Sequence, residues 1–320
     1  MSTPKPSNTA DREIVITRLL DAPRELVFEA WTDQRHLAQW WGPRGFTTRT
    51  QDLALKPGGA WRFVMSSAEE GDFQNRIVYR EIVKPERLVY THGAGEAPAA
   101  EDFEVTVTFA EEAGRTRLTM RSVFATPEAR RRVQEKFRAV EGGLSTVDRL
   151  EQLLAQLGGG EPVFVLTRLL EAPRALVFKA WTEPERLAKW WGPKGAGIRV
   201  AKLELRPGGT FLYSMRAPDG SDWHGKFVYR EIAAPESLVF VNSFCDPQGR
   251  PVRHPLSPTW PLEVLNVVTF AEQGGRTALT LKGVPYLATE AEQKTFAEGR
   301  SSLVQGFTGT LDQLAAHLAA

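Results

Sequence analysis

One cysteine, Cys245, stands in 320 residues, which excludes an intrachain disulfide and a multi-cysteine zinc site. Excess charge of either sign is also missing: 40 Lys and Arg oppose 39 Asp and Glu, leaving +1 at neutral pH. Such a balance offers no electrostatic footprint for nucleic acid or for an anionic membrane surface. The local exception is Arg130, Arg131, Arg132, Lys136 and Arg138, interleaved with Glu128 and Glu135, which reads as a solvated helix face. No run of about 18 apolar residues occurs, so no membrane-spanning helix is expected. The opening MSTPKPSNTAD lacks the apolar core of a signal peptide. The chain therefore reads as cytoplasmic, with residues 1 to 12 as a disordered tail.

Catalytic signatures are absent too. There is no P-loop, no GxSxG elbow and no HExxH. His36, His92, His224, His254 and His317 have no metal-ligand spacing, so neither a metal nor a cofactor is expected. The stretch HGAGE at 92 to 96 has an outline like an oxyanion loop, but the second half of the chain lacks it, and it reads as a flexible loop.

What the chain does have is the same sequence twice. TRLLDAPRELVFEAWT at 17 to 32 returns as TRLLEAPRALVFKAWT at 167 to 182, and QWWGPRGF returns as KWWGPKGA, 150 positions later. The offset grows to 161 by VTFAEEAGRTRLT and VTFAEQGGRTALT. The second copy thus holds eleven extra residues, within CDPQGRPVRHPLSPTWP, as expected of a loop between strands. The repeats place one domain at 13 to 157 and another at 163 to 320, joined by GGGEP at 158 to 162. So short a joint between such similar surfaces suggests that the two repeats pack on each other.

Each copy has one order of elements. A strand (EIVITRLL or VFVLTRLL) precedes a short helix opened by Pro23. A second short helix follows, and Thr182 with Glu185 predicts a capping box at its start in the second copy. Strands come next with period two: Trp61, Phe63 and Met65, then Ile77 and Tyr79, then Phe103, Val105, Val107 and Phe109. One long helix closes each copy. Val133, Phe137, Val140, Leu144, Val147, Leu150, Leu154 and Leu157 recur at helical spacing in the first. In the second, a Thr289/Glu292 capping box precedes Phe296, Leu303, Phe307, Leu311, Leu314 and Leu318. The class is α+β, two tandem domains, each an antiparallel sheet whose apolar face the last helix must cover.

VFEAWTDQRHLAQWWGP, LKPGGAWRFVM, YREIVKPERLVYT and VTVTFAE, with their second-copy counterparts, resemble the activator of heat-shock-protein-90 ATPase homologue family. The resemblance covers nearly all of 13 to 157 and 163 to 320. It implies the START-like (SRPBCC) helix-grip fold, a curved sheet wrapped around the C-terminal helix, with a small apolar or amphipathic ligand between them. The family's Gly-Trp pair in that helix is replaced here by Gly142-Gly143 and Gly306-Phe307.

Placed on that fold, the first repeat offers Trp41, Trp61, Phe63, Met65, Asn75 and Ile77 as ligand-binding candidates. Tyr79, Phe103, Val105 and Phe137 complete its set. The second repeat offers Trp191, Phe211, Tyr213, Met215, Phe227 and Tyr229, with Asn266 and Val268 from a later strand and Leu303 and Phe307 from the helix. WWGP reads as a helix terminator with aromatic anchors: Leu37, Trp40 and Trp41 share a face, Gly42 takes the left-handed position, and Pro43 stops the helix. The functional alternative to this scaffolding reading is that Trp41 and Trp191 close one end of a cavity.

Asn75, Tyr79 and Glu81 fall on the apolar face by period, as does Asn266, so they bond one another or serve a ligand. For Glu81 and Glu231, at strand ends, an exposed carboxylate or a partner for a nearby Arg is the favoured reading. The leading functional reading is a non-catalytic hydrophobic-ligand binder with one cavity per repeat. One alternative is a cyclase-like or hydrolase-like enzyme using Tyr79/Glu81 or Tyr229/Glu231 as acid and base. Another is a chaperone-associated interaction protein. Tyr213 and Asn266 favour the second cavity, with His254 and Trp260 of the insertion as a lid.

Overall fold

Where the sequence alternates apolar and polar residues, the chain lays down strands in one antiparallel meander per repeat. The computed structural model describes residues 9–95, 99, 101–193, 198–216 and 220–320. Its contacts divide into two units, Met1–Gly159 and Gly160–Ala320. Residues 1–8 of the expected tail lie outside the described residues, while Ala10–Arg12 form a 3-10 turn tied to Phe124 by Arg12.

In the first unit β1 (Glu13–Leu20) leads into α1 (Arg24–Thr32) and α2 (Gln34–Trp40). Six strands follow: β2 (Thr47–Leu53), β3 (Ala60–Ser67), β4 (Gly71–Val83), β5 (Arg87–Ala94), β6 (Phe103–Glu112) and β7 (Arg115–Val123). They meander from β2 to β7, and β1 then pairs with β7, giving the order β1-β7-β6-β5-β4-β3-β2. Helices α3 (Pro127–Phe137) and α4 (Ala139–Leu157) close the unit.

The second unit repeats the plan with β8 (Phe164–Leu170), α5 (Arg174–Thr182) and α6 (Pro184–Trp190). Its strands are β9 (Ile198–Leu203), β10 (Thr210–Arg216), β11 (Asp222–Ala233), β12 (Ser237–Cys245), β13 (Pro251–Val252), β14 (Val264–Gln273) and β15 (Arg276–Pro285). Helices α7 (Glu290–Glu298) and α8 (Arg300–Ala319) complete it. The order is β8-β15-β14-β12-β11-β10-β9, with β13, formed by the insertion, added to the end of β12. Both are α+β helix-grip domains.

Three local expectations need correction. Pro23 is the cap before α1 rather than its first residue. Thr182 does not cap α6: it is the last residue of α5, and its hydroxyl donates back to the Phe178 carbonyl at 2.9 Å. The cap is Glu183, matching Asp33 of the first unit, whose carboxylate accepts from the Arg35 N–H at 2.8 Å. Nor is the closing helix continuous. It breaks at Arg138, a left-handed residue with φ +47° between α3 and α4, and at Gly299 between α7 and α8. At Gly299 a Cβ would stand 2.9 Å from the Trp260 ring, so the insertion packs into that break. The Thr289/Glu292 capping box forms as expected.

The repeated PGG turns set the curvature of each sheet. The Gly58 N–H donates to the Tyr79 carbonyl at 2.8 Å, and the Tyr79 N–H returns a bond to Gly59 at 2.9 Å. A Cβ on Gly59 would lie 2.1 Å from the Ala54 carbonyl, so only glycine fits. With the turn docked there, β4 slips its register against β5 between Tyr79 and Glu81, a bulge that bends the sheet. Gly208, Gly209 and Tyr229 repeat the arrangement, with the slip between Tyr229 and Glu231.

WWGP ends α2 in a cluster of carbonyls with no helical partner. The closing helix supplies the donors. Arg149 of α4 gives Nη1 to the carbonyls of Gly42, Pro43 and Phe46 at 2.8, 3.2 and 3.1 Å, and Nη2 to Gln39 at 2.9 Å. In the second unit Gln313 of α8 donates to Trp190 and Gly192, and Thr310 also donates to Gly192. Inside each string the first tryptophan points back, with Trp40 Nε1 donating to Ala30 and Trp190 Nε1 to Ala180, both at 2.9 Å. The end of the second string, residues 194–197, lies outside the described residues.

Removing Arg149 takes its donors from the Gln39, Gly42 and Phe46 carbonyls, while Pro43 keeps the Phe46 N–H at 3.1 Å. Arg149→Leu is expected to lower the stability of the first domain by about 3 kcal/mol, and Gln313→Leu the second by about 1 kcal/mol. Urea unfolding followed by tryptophan fluorescence reads both, and equal, negligible losses would reject the clamp.

Candidate functional site

The inner face of the first sheet is built from rings. Trp61 stacks on Phe63 with centroids 4.0 Å apart, and the Trp41 ring meets Trp61 edge-on at 4.9 Å and Phe63 at 6.0 Å. These three, with Ile77, Tyr79 and Val105, are buried. Met65, Asn75 and Phe103 are partly exposed at one end of the face. Phe137 is placed differently from expectation: it is 48% exposed, because the left-handed Arg138 ends α3 directly after it. Its ring meets that of Phe73 edge-on at 6.4 Å.

Period-two reasoning fails for Glu81. The bulge after Tyr79 carries it off the apolar face, where it pairs with Arg87 and its side chain is 43% exposed. Glu231 follows the equivalent bulge and is exposed. The two Tyr/Glu pairs therefore do not converge as acid and base. Burial pushes the Tyr79 and Tyr229 hydroxyls well above the ordinary tyrosine range, so both stay protonated.

A residue that sequence reasoning assigned to a loop is on the inner face. His92 lies in β5, opposite Ile77 of β4 and Phe103 of β6. Its ring is 5.2 Å from Phe103 and 6.3 Å from Phe63. Its Nε2 is 3.2 Å from Asn75 Oδ1, while Asn75 Nδ2 donates to the Phe73 carbonyl at 2.9 Å. Burial lowers the imidazole pKa to about 4, so the ring is neutral at physiological pH. The signal was present in the sequence: Leu88, Tyr90 and His92 continue one alternation, and the Gly-Ala-Gly after it disguised the strand end. Glu96, the last residue of HGAGE, lies outside the described residues.

In the second domain Trp191, Phe211, Tyr213, Phe227, Tyr229, Asn266 and Val268 are buried, and Met215, Leu303 and Phe307 pack against them. Gly225 replaces Asn75, and a Cβ there would fall 2.3 Å from Tyr213 Cζ, so the Tyr213 ring fills that space. Burial pushes its hydroxyl pKa up to about 12. Asn242 stands where the first domain has His92, and its Oδ1 accepts from Asn266 Nδ2 at 2.7 Å. Asn266 also donates to the Val264 carbonyl at 2.9 Å. The added asparagine of this domain is thus bonded inside the protein. The insertion continues the aromatic line from Trp223 through Phe244, His254 and Trp260 to Phe296 of α7, with Arg253 paired to Glu292.

The helix glycines follow the same division. A Cβ on Gly143 would meet Ile16 Cδ1 at 2.4 Å, so that glycine serves close packing. Gly306 and Gly309 have nothing within 4 Å of such a Cβ. A cleft of about 270 Å³ is lined by the exposed Gln51, Arg62 and Gln74, by Gly95, and by Asn75 from the partly exposed end of the inner face.

Glu29, Asp33 and His36 bring ligand atoms within 4.8 Å of one another across α1 and α2. Asp33 is already engaged as the α2 cap and by Arg35, which holds its carboxyl down to about 2. The second repeat has Lys179, Glu183 and Arg186 there, so the cluster is a capping feature of one domain. Cys245 is buried, and burial raises its pKa, which disfavours the thiolate. Among the described residues no helix is long and apolar enough to cross a membrane.

A family model described as Activator of Hsp90 ATPase homolog 1-like protein matches residues 21–155 and again 171–319. No curated protein matches the chain. Among solved structures, Ms6760 from Mycobacterium smegmatis is 29% identical over 49% of this chain and 90% of its own, with a TM-score of 0.41. NE0264 from Nitrosomonas europaea is 25% identical over 48% of this chain and 99% of its own, with a TM-score of 0.43. A di-domain ARO/CYC protein, BexL, from the BE-7585A biosynthetic pathway is 16% identical over 97% of this chain and 99% of its own, with a TM-score of 0.38.

The neutral His92 has a measurable consequence. Its pKa is about 4 when folded against about 6.5 in the unfolded chain. The unfolded state therefore binds the proton first, and stability falls as pH drops from about 6.5 towards 4. His92→Asn, which copies Asn242, is expected to flatten this part of the pH–stability curve. An unchanged slope would mean that His92 titrates normally.

Proposed function

Because the chain belongs to the Activator of Hsp90 ATPase homolog 1-like family, we propose that each repeat binds a small apolar or amphipathic molecule between its sheet and its closing helix, without catalysis. The observation that carries this reading is the pair Tyr79 and Tyr229. They are 3% and 1% exposed, occupy the same place in both repeats, and neither side-chain hydroxyl has a hydrogen-bond partner among the described residues. A phenolic hydroxyl with its ring buried and its oxygen still open to a partner is a polar handle that a ligand group can bond. The buried residues of each inner face are aromatic and apolar, the composition of a small-molecule site with a few orienting polar groups. The acid–base pair of the enzyme alternative is not assembled, since Glu81 and Glu231 leave the face at the bulges.

The ligand is a small molecule rather than nucleic acid or a membrane surface, given the balanced charge. A cytoplasmic location is part of the same proposal, consistent with one free cysteine and no disulfide.

Titration with Nile red tests the reading. Met65→Trp and Met215→Trp fill the partly exposed end of each inner face, one domain at a time. Each is expected to remove about half of the bound probe and the double variant nearly all of it. Undiminished binding by the double variant would refute an internal site.

A further inference from the structure

The two repeats share a fold but differ in the polar group that the inner face presents. In the second domain Asn242 and Asn266 satisfy each other, and the insertion lays His254 and Trp260 across the end of the face. The first domain has no insertion. There Met65, Phe73, Asn75, His92 and Phe103 are all partly exposed.

The hydrogen bonds fix which atom of His92 is available. Asn75 Nδ2 donates to the Phe73 carbonyl, which orients the amide and turns Oδ1 towards the imidazole. An amide oxygen only accepts, so Nε2 must carry the ring proton. Nδ1 is then a lone pair, and among the described residues Asn75 is the only hydrogen-bond partner of this side chain. A neutral imidazole in this tautomer is an acceptor that asks for a donor. The rings beside it, Phe63 and Phe103, ask for a flat apolar body.

Resting on the binding role proposed above, we infer that the first domain selects a planar aromatic molecule carrying a hydroxyl group, whose proton is donated to Nδ1 of His92. The aromatic body lies among Phe63, Phe103 and Phe73. Asn75 acts as a positioning residue, because it holds the tautomer without touching the ligand. The second domain, with an Asn pair in place of the imidazole, does not share the preference.

Naphthol and its methyl ether test this with the full-length protein. They present nearly the same aromatic surface, and only naphthol donates a hydrogen bond. Naphthol is expected to bind the first domain about tenfold more tightly than the ether, the worth of one net hydrogen bond. His92→Phe keeps an aromatic ring, and should bind both compounds with equal affinity. In the wild-type protein, the ¹⁵N resonance of His92 Nδ1 should move with naphthol and stay still with the ether, a readout that does not depend on the folding of any variant. Equal affinities in the wild type together with a still Nδ1 resonance would overturn the hydroxyl preference while leaving the binding role intact. Failure of both compounds to bind would overturn both.

Discussion

Each domain depends on how the C-terminal end of one short helix is satisfied. WWGP stops α2 and α6 abruptly, leaving carbonyls beside two large indoles, and buried carbonyls need donors. The closing helix provides them, through Arg149 in one domain and Gln313 with Thr310 in the other. This bond set fixes the helix axially over the sheet. It also fixes the second tryptophan of each string, so that Trp41 faces Trp61 and Phe63, and Trp191 faces Phe227 and Tyr213. The strings that open as helix stops therefore become the end wall of the inner face.

The same task is done with different chemistry in the two copies. The first domain surrounds its clamp with buried charge: Asp148 accepts from Arg18 and Arg44 at 3.1 Å each, and Glu151 from Arg18 at 3.0 Å. Asp148 has no exposed side-chain surface, so the network holds a unique helix position but tolerates no loss of a partner. In the second domain Arg168 and Asp312 keep only a solvent-exposed version of that pair, and Ala315 follows where the first has Glu151. There the helix is held by Leu311, Leu314 and Phe307 against the aromatic face and by the insertion wedged at Gly299. One duplicated scaffold thus carries an ionic anchor in one half and an apolar one in the other.

Much of this was legible in the residues. The repeat offset fixed two like domains, period two found the buried rings from Trp61 to Phe109, and Gly-Pro after paired tryptophans located the helix stops. The misses have physical causes. Glu81 and Glu231 left the inner face because the PGG turn docks on Tyr79 and Tyr229 and forces a bulge, and a bulge changes the parity of every later residue. His92 was hidden by the glycines that follow it. The break at Arg138 has no sequence signal, since a left-handed arginine carries none of the marks of a glycine or asparagine cap, and Phe137 moved outward with it. Arg149 resembled any surface arginine until the carbonyls of a turn more than 100 positions away in the chain came to surround it.

The central claim is that the ring-lined inner face of each domain is a binding surface for a small molecule. Native mass spectrometry of the intact protein purified from its own host tests it most directly. The account predicts a mass above that of the chain, released as a small aromatic or amphipathic compound under gentle activation and reduced in protein carrying the filled-face substitutions. A bare chain mass in every preparation, together with no mass gain on exposure to a host small-molecule extract, would contradict it.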